Sequence, residues 1–134
     1  MMAFEDEFMD KISEIISLYA KRVDKSVSKI YLYIYNDEAQ STLTYAFKKN
    51  DKLVFFKEAG LSEEQDNDFY DIIFDEILPE LEDICINSDR PMPFEMKIQY
   101  NLNGKVDVKC KYKDEIAKNY DCDREGYNWI HSSE

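Results

Sequence analysis

Apolar residues at Phe4, Phe8, Ile12, Ile15, Ile16, Tyr19 and Val23 recur in steps of three and four. That spacing puts them on one stripe and predicts an amphipathic helix over about 4–23. From Ser28 to Asn36 the pattern changes. Ile30, Tyr31, Leu32, Tyr33, Ile34 and Tyr35 form an unbroken run of β-branched and aromatic residues, too short for a helix, and predict a strand apolar on both faces. Asn36-Asp37-Glu38 supplies turn residues, Ser41 to Lys48 alternates through Leu43, Tyr45 and Phe47, and Lys52 to Lys57 carries Leu53, Val54, Phe55 and Phe56 after an Asn50-Asp51 turn. Three antiparallel strands in a meander follow.

A polar loop over about 58–67 leads to a second helix whose stripe is Phe69, Ile72, Ile73, Ile77, Leu81 and Ile84. Pro79 removes one backbone donor and crowds the preceding turn, so a kink near Leu78 or two short helices end to end are expected. In Pro93–Tyr112, Phe94, Met96, Ile98 and Tyr100 alternate with polar residues, as do Val106, Val108, Cys110 and Tyr112. This is a hairpin with one buried face. Pairing Tyr100 with Val106 keeps both apolar sets together and makes Leu102-Asn103-Gly104 a three-residue loop with Gly104 at positive φ. Ile98 then faces Val108, Met96 faces Cys110 and Phe94 faces Tyr112. The order helix-strand-strand-strand-helix-strand-strand predicts an α+β fold, with an antiparallel sheet of about five strands and two main helices covering one face. Residues 1–134 read as one domain, with a short acidic-aromatic tail from about 113.

With 44% apolar and 14% aromatic residues, a chain of 134 can bury a core. The start, Met1 to Glu7, is acidic where a targeting segment would be basic, and no apolar run approaches a membrane span. A cytoplasmic protein with no membrane partner is expected. Cys85, Cys110 and Cys122 lack metal-ligand or redox spacing and read as reduced, packed thiols. The single His131 and three glycines leave no material for a catalytic triad or a phosphate-cradling loop. No catalytic residue, cofactor or enzymatic activity is expected. Asp121, Asp123, Glu125 and Gly126 resemble the opening of a calcium loop, but its twelfth position is Ser132 rather than Glu, so a solvated acidic turn without metal is expected.

Charge changes the picture most. The net charge of -12 argues against direct nucleic-acid binding and for a basic partner. Glu58 to Asp89 holds 12 of the 29 acids and none of the 17 bases, so this segment carries the whole imbalance. Acid runs are usually solvated faces. Ordinary solvated helices, however, interleave both signs, and like charges at i and i+4 cost stability. Glu63, Glu64, Asp66, Asp68, Asp71, Asp75, Glu82 and Asp83 are therefore candidates for a binding surface. Tyr127 and Trp129 in the tail are a second candidate, as residue types common in binding hot spots, unless they fold back to cap the sheet.

Two stretches carry a family likeness: Lys29-Ile-Tyr-Leu-Tyr-Ile-Tyr-Asn-Asp-Glu38 continuing into Thr42-Leu-Thr-Tyr-Ala-Phe47, and the hairpin Pro93 to Tyr112 with its Gly104-Lys105 turn. Over Lys29 to Lys113 the sequence resembles the YezG-like family of bacterial immunity proteins, antitoxins against polymorphic nuclease toxins. The family often has Trp just before the hairpin, where this chain has Arg90-Pro91-Met92. The resemblance implies binding and neutralisation of a cognate toxin domain, delivered by contact-dependent or related secretion; the acidic charge agrees with a toxin of basic surface, and a monomer is expected. The alternative reading is a type III secretion chaperone, also small, acidic and α+β, which dimerises and holds an effector segment in apolar grooves.

Overall fold

Ile30 through Tyr35 are all buried, and this burial on both sides makes β1 (Val27–Asn36) the centre of the sheet in the computed structural model. The structure describes residues 4–23 and 25–132; within the first helix the side chains of Phe4, Ile15 and Tyr19 lie outside the described residues. β2 (Ser41–Lys49), β3 (Lys52–Val54), β4 (Glu95–Asn101) and β5 (Val106–Lys111) complete an antiparallel sheet in the order β3-β2-β1-β4-β5. The fold is α+β, as the order of elements predicts.

Side chains alternate across a strand. On β1 this sends Ile30, Leu32 and Ile34 to one face and Tyr31, Tyr33 and Tyr35 to the other. The first face packs against α1 (Phe4–Ala20) and a long helix of α2 (Glu63–Asp71), a π-helical turn (Ile72–Ile77) and α3 (Leu78–Asn87), with Ile12, Ile16, Phe69, Ile73, Ile77 and Leu81 buried.

The hairpin takes the expected register, with Tyr100 opposite Val106, Ile98 opposite Val108 and Met96 opposite Cys110. Gly104 sits at φ +102°, a conformation costly to any residue with a Cβ. The Phe94–Tyr112 pair does not form on the core face. Both Phe94 and Glu95 stand against Lys111, the Phe94 N–H donating to the Lys111 carbonyl at 2.9 Å. The extra residue turns Phe94 to the second face, its ring 6.4 Å from that of Tyr35.

The second helix starts at Glu63, earlier than its apolar stripe indicates. Ser62 caps it, accepting from the Gln65 N–H while Gln65 accepts from the Ser62 N–H. Pro79 marks the discontinuity without breaking the helix. The Leu78 N–H donates to the Ile73 carbonyl five residues back, a wide turn that precedes the ring. Leu78 and Cys85 are buried in consequence, whereas Ile72 and Ile84 are only half-buried.

The largest correction concerns the C-terminal segment. Helices cover both faces of the sheet, because α4 (Cys122–His131) packs on the second face, with Cys122, Gly126 and Ile130 buried. Asp121 caps α4 by accepting from the Arg124 N–H at 3.1 Å, so the calcium-like run is the beginning of a helix rather than a loose acidic turn. A Cβ on Gly126 would lie 2.7 Å from Cδ1 of Tyr33, so only glycine lets α4 approach β1 this closely.

Candidate functional site

Glu63 and Glu64 project from the first turn of α2, where acids complement exposed backbone N–H groups. Both are exposed, and Glu63 pairs with Lys57 at 3.3 Å. Asp66 serves the fold: it is half-buried and accepts from the Tyr45 hydroxyl. Local structure thus explains these three acids. It does not explain Glu82 and Asp83, which are exposed in the middle of α3 with no base in its last turn.

Asp68, Asp71 and Asp75 come together. With Arg22, Ile72 and Glu76 they line an open groove of about 320 Å³ between the end of α1 and the π-helical turn. A second groove of about 470 Å³ adjoins it, sharing Ile72, Asp75 and Glu76 and adding Lys11, Glu14, Ile77, Pro79 and Glu80. Their lining is apolar at Ile72, Ile77 and Pro79 and otherwise acidic but for Lys11 and Arg22. Lys11 bridges two of these acids, with its Nζ 3.0 Å from Glu80 and 3.3 Å from Glu14. The hydrogen bond to Glu80, helped by the one to Glu14, holds the ammonium above its ordinary pKa. Such a trough suits the aliphatic stem and charged head of a lysine or arginine side chain.

The predicted aromatic pair is elsewhere. Trp129 is half-buried on the second face, 6.1 Å from the Tyr31 ring and 6.5 Å from that of Tyr33. Tyr127 is 60% exposed on the outer side of α4, its ring 4.0 Å from His131, which ends the helix and packs instead of hanging in a tail. The sheet separates these aromatics from the acidic grooves.

Sequence reasoning missed the most deeply buried charge. Glu95 is 1% exposed on the second face. Its carboxylate accepts from the Tyr33 hydroxyl at 2.6 Å and from that of Tyr120, and Lys97 lies 3.8 Å away. Lys97 in turn pairs with Glu125 of α4 at 2.7 Å. Burial, reinforced by Glu95, raises the Tyr33 and Tyr120 pKa values well above the usual phenol range. Tyr35 is raised by burial and by its hydrogen bond to Asp37. Burial likewise pushes the Cys110 thiol up to about 11 and raises Cys85 and Cys122. A glutamate inside an otherwise apolar-polar alternation was the available signal, but alternation alone assigned it to solvent.

Among the described residues no three His, Cys, Asp or Glu side chains gather as a metal site would, and no helix is long and apolar enough to cross a membrane. Compared with models of known protein families and with curated proteins, the chain matches none.

Proposed function

We propose that the protein is an immunity protein, one that neutralises a cognate bacterial nuclease toxin by binding it and performing no chemistry on it. The carrying observation is the acidic trough at the π-helical turn, where Asp68, Asp71, Asp75 and Glu76, from a segment that holds 12 acids and no base, line one groove system with Ile72, Ile77 and Pro79 and outnumber the Lys11 and Arg22 that reach it. A nuclease must attract a polyanion, so the surface that draws its substrate is basic. An acidic inhibitor exploits the same field, both to accelerate encounter and to cover the site. The likeness of Lys29–Lys113 to the YezG-like family supports the same reading. The chaperone alternative calls for an exposed apolar helix face, whereas α2, the π-helical turn and α3 turn Asp68, Asp71, Asp75, Glu82 and Asp83 outward, with Tyr70 and Ile86 as their exposed large apolar residues.

The test reverses charge where it is exposed. Asp71→Lys, Asp75→Lys and Glu82→Lys together leave the melting temperature unchanged or raised, because like-charge repulsion on the helix is relieved. Association with the toxin domain, followed by stopped flow at low salt, slows by about one to three decades and depends less steeply on salt. Wild-type association by the triple variant refutes the acidic trough as the docking surface. Turnover, or a mass change on the toxin, refutes neutralisation by binding.

A further inference from the structure

The free edge of β5 carries a signal that the proposed function does not use. β5 ends the sheet order and, among the described residues, pairs with β4 alone. Backbone groups of an antiparallel strand alternate sides. The Asn101 N–H donates to the Lys105 carbonyl and the Phe94 N–H to the Lys111 carbonyl, so the odd-numbered residues of β5 turn their backbone groups toward β4. Val106, Val108 and Cys110 therefore turn theirs outward. Their side chains lie half-buried along the margin of the main core, while Asp107 and Lys109 are exposed on the other face. Within its own sheet Lys109 stands opposite Lys97, a like charge, and Asp107 stands opposite Gln99.

Edges are commonly protected by shortness, charged side chains, proline or a bulge, and of these β5 has the exposed charges, Asp107 and Lys109, one of each sign. β3, the other edge, spans three residues, whereas β5 spans six, contains no proline and pairs with β4 without a register shift from Val106 to Lys111.

In place of the monomer expected from the sequence, we propose that β5 is the interface of a symmetric dimer, in which a second copy of the chain pairs antiparallel, β5 to β5, and joins the two five-stranded sheets into one; the pairing runs through a strand edge and not through the apolar helix face of a chaperone dimer. Two-fold symmetry requires that residue i face j wherever j faces i. The register that engages all three outward-turned residues of both copies sets Val108 against its own counterpart and Val106 against Cys110. The residues between are then fixed: Asp107 of each copy faces Lys109 of the other. These are the non-hydrogen-bonded positions, where cross-strand side chains approach most closely. A single register thus satisfies backbone, apolar margin and charge at once. The adjacent registers do not, because one sets Asp107 against Asp107 and the other sets Lys109 against Lys109. The dimer leaves the acidic trough open, since α2 lies over the far half of the sheet, with Phe69 against Tyr45 of β2 at 4.7 Å between ring centres.

Sedimentation equilibrium of the full chain across the micromolar range tests this, and it is independent of any toxin. The expected result is a reversible monomer-dimer equilibrium. Lys109→Asp sets acid against Asp107 in both pairs and weakens dimerisation by about tenfold or more, and adding Asp107→Lys to that variant restores it. Val108→Pro removes an outward N–H at an edge position that tolerates proline, and abolishes the dimer while the unfolding midpoint stays near wild type. Should that variant fail to fold, the charge exchange decides. A wild-type chain that stays monomeric overturns the proposal, as does a dimer indifferent to Lys109→Asp or a double exchange that restores nothing.

Discussion

The two faces of the sheet are held by different physics. On the first face, Ile30, Leu32, Ile34 and Ile98 meet Ile12, Ile16, Ile73 and Leu81, and stability comes from burying aliphatic surface, at about 1.5–3 kcal/mol for each fully buried side chain. On the second, Tyr33, Tyr35 and Tyr120 meet Phe94, Cys122 and Trp129 around a buried carboxylate. Here the attachment is directional, made of hydroxyl-to-carboxylate bonds, the Lys97–Glu125 pair and a glycine fitted to a ring. Non-directional burial tolerates exchange of one aliphatic residue for another of like volume. A directed network tolerates little, because losing one partner leaves others buried without a hydrogen bond.

This contrast is open to test. The largest effect is expected on the first face: Ile98→Asp buries an unpaired charge among aliphatic residues and should lower stability by about 3–5 kcal/mol in urea unfolding. Gln99→Asp, next along the strand and half-buried on the other face, should cost less than about 1 kcal/mol. Equal midpoints for the two would overturn the facing of β4.

On the second face, Glu95→Ala removes the acceptor shared by Tyr33 and Tyr120 and should cost about 2–3 kcal/mol. Glu95→Gln keeps an acceptor and should cost distinctly less. Trp129 reports the location of the damage: its emission should shift to the red in Glu95→Ala, as α4 loosens, and hold in Glu95→Gln. If the two variants lose equal stability, charge rather than hydrogen-bond satisfaction holds this face together.

The smallest and most selective effect is in alkali. Tyr33, Tyr35 and Tyr120 have folded pKa values raised above the ordinary 10.0, so above that pH the unfolded chain sheds protons that the folded chain keeps. Stability from these groups is complete below about pH 10 and falls as pH rises beyond it. Tyr35→Phe should flatten that fall, measured as the urea midpoint at about pH 9 and 11. An unchanged slope would separate Tyr35 from the effect.

The sequence makes the first face far more legible than the second. Alternation and Gly104 suffice for the hairpin register, and the unbroken run of Ile30 to Tyr35 suffices for a strand buried on both sides. Helix α4 is harder to read, because its buried residues, Cys122, Gly126 and Ile130, include a thiol and a glycine that carry little weight in an apolar count. Their spacing of four and the Asp121 cap are the signals that periodicity alone undervalues. The bulge at Phe94 has no signal of its own; it follows from how the strand enters the sheet. Of the candidate site, the outward placement of Asp68, Asp71 and Asp75 is legible in the helical stripe, but the trough is not, since Lys11 of α1 and Arg22 of the turn after it reach the trough from a stretch distant in sequence.

Phe69, Ile73, Ile77, Leu81 and Cys85 are buried at a strict spacing of four. At about 100° per residue, each such step in an ordinary α-helix overshoots a full turn by about 40°, and four steps would carry the seam well around the cylinder. The π-helical turn winds more slowly and acts as a phase correction, returning the second half of the helix to the line set by the first. What the turn accommodates is one residue more than an ordinary α-helix of the same phase would hold, and that residue lies in the stretch carrying Asp75 and Glu76. Asp75 and Glu76 are both exposed, and removing either one would restore ordinary winding yet leave everything beyond Leu78 in step, because one residue fewer at about 100° makes up the rotation that the slow turn withholds.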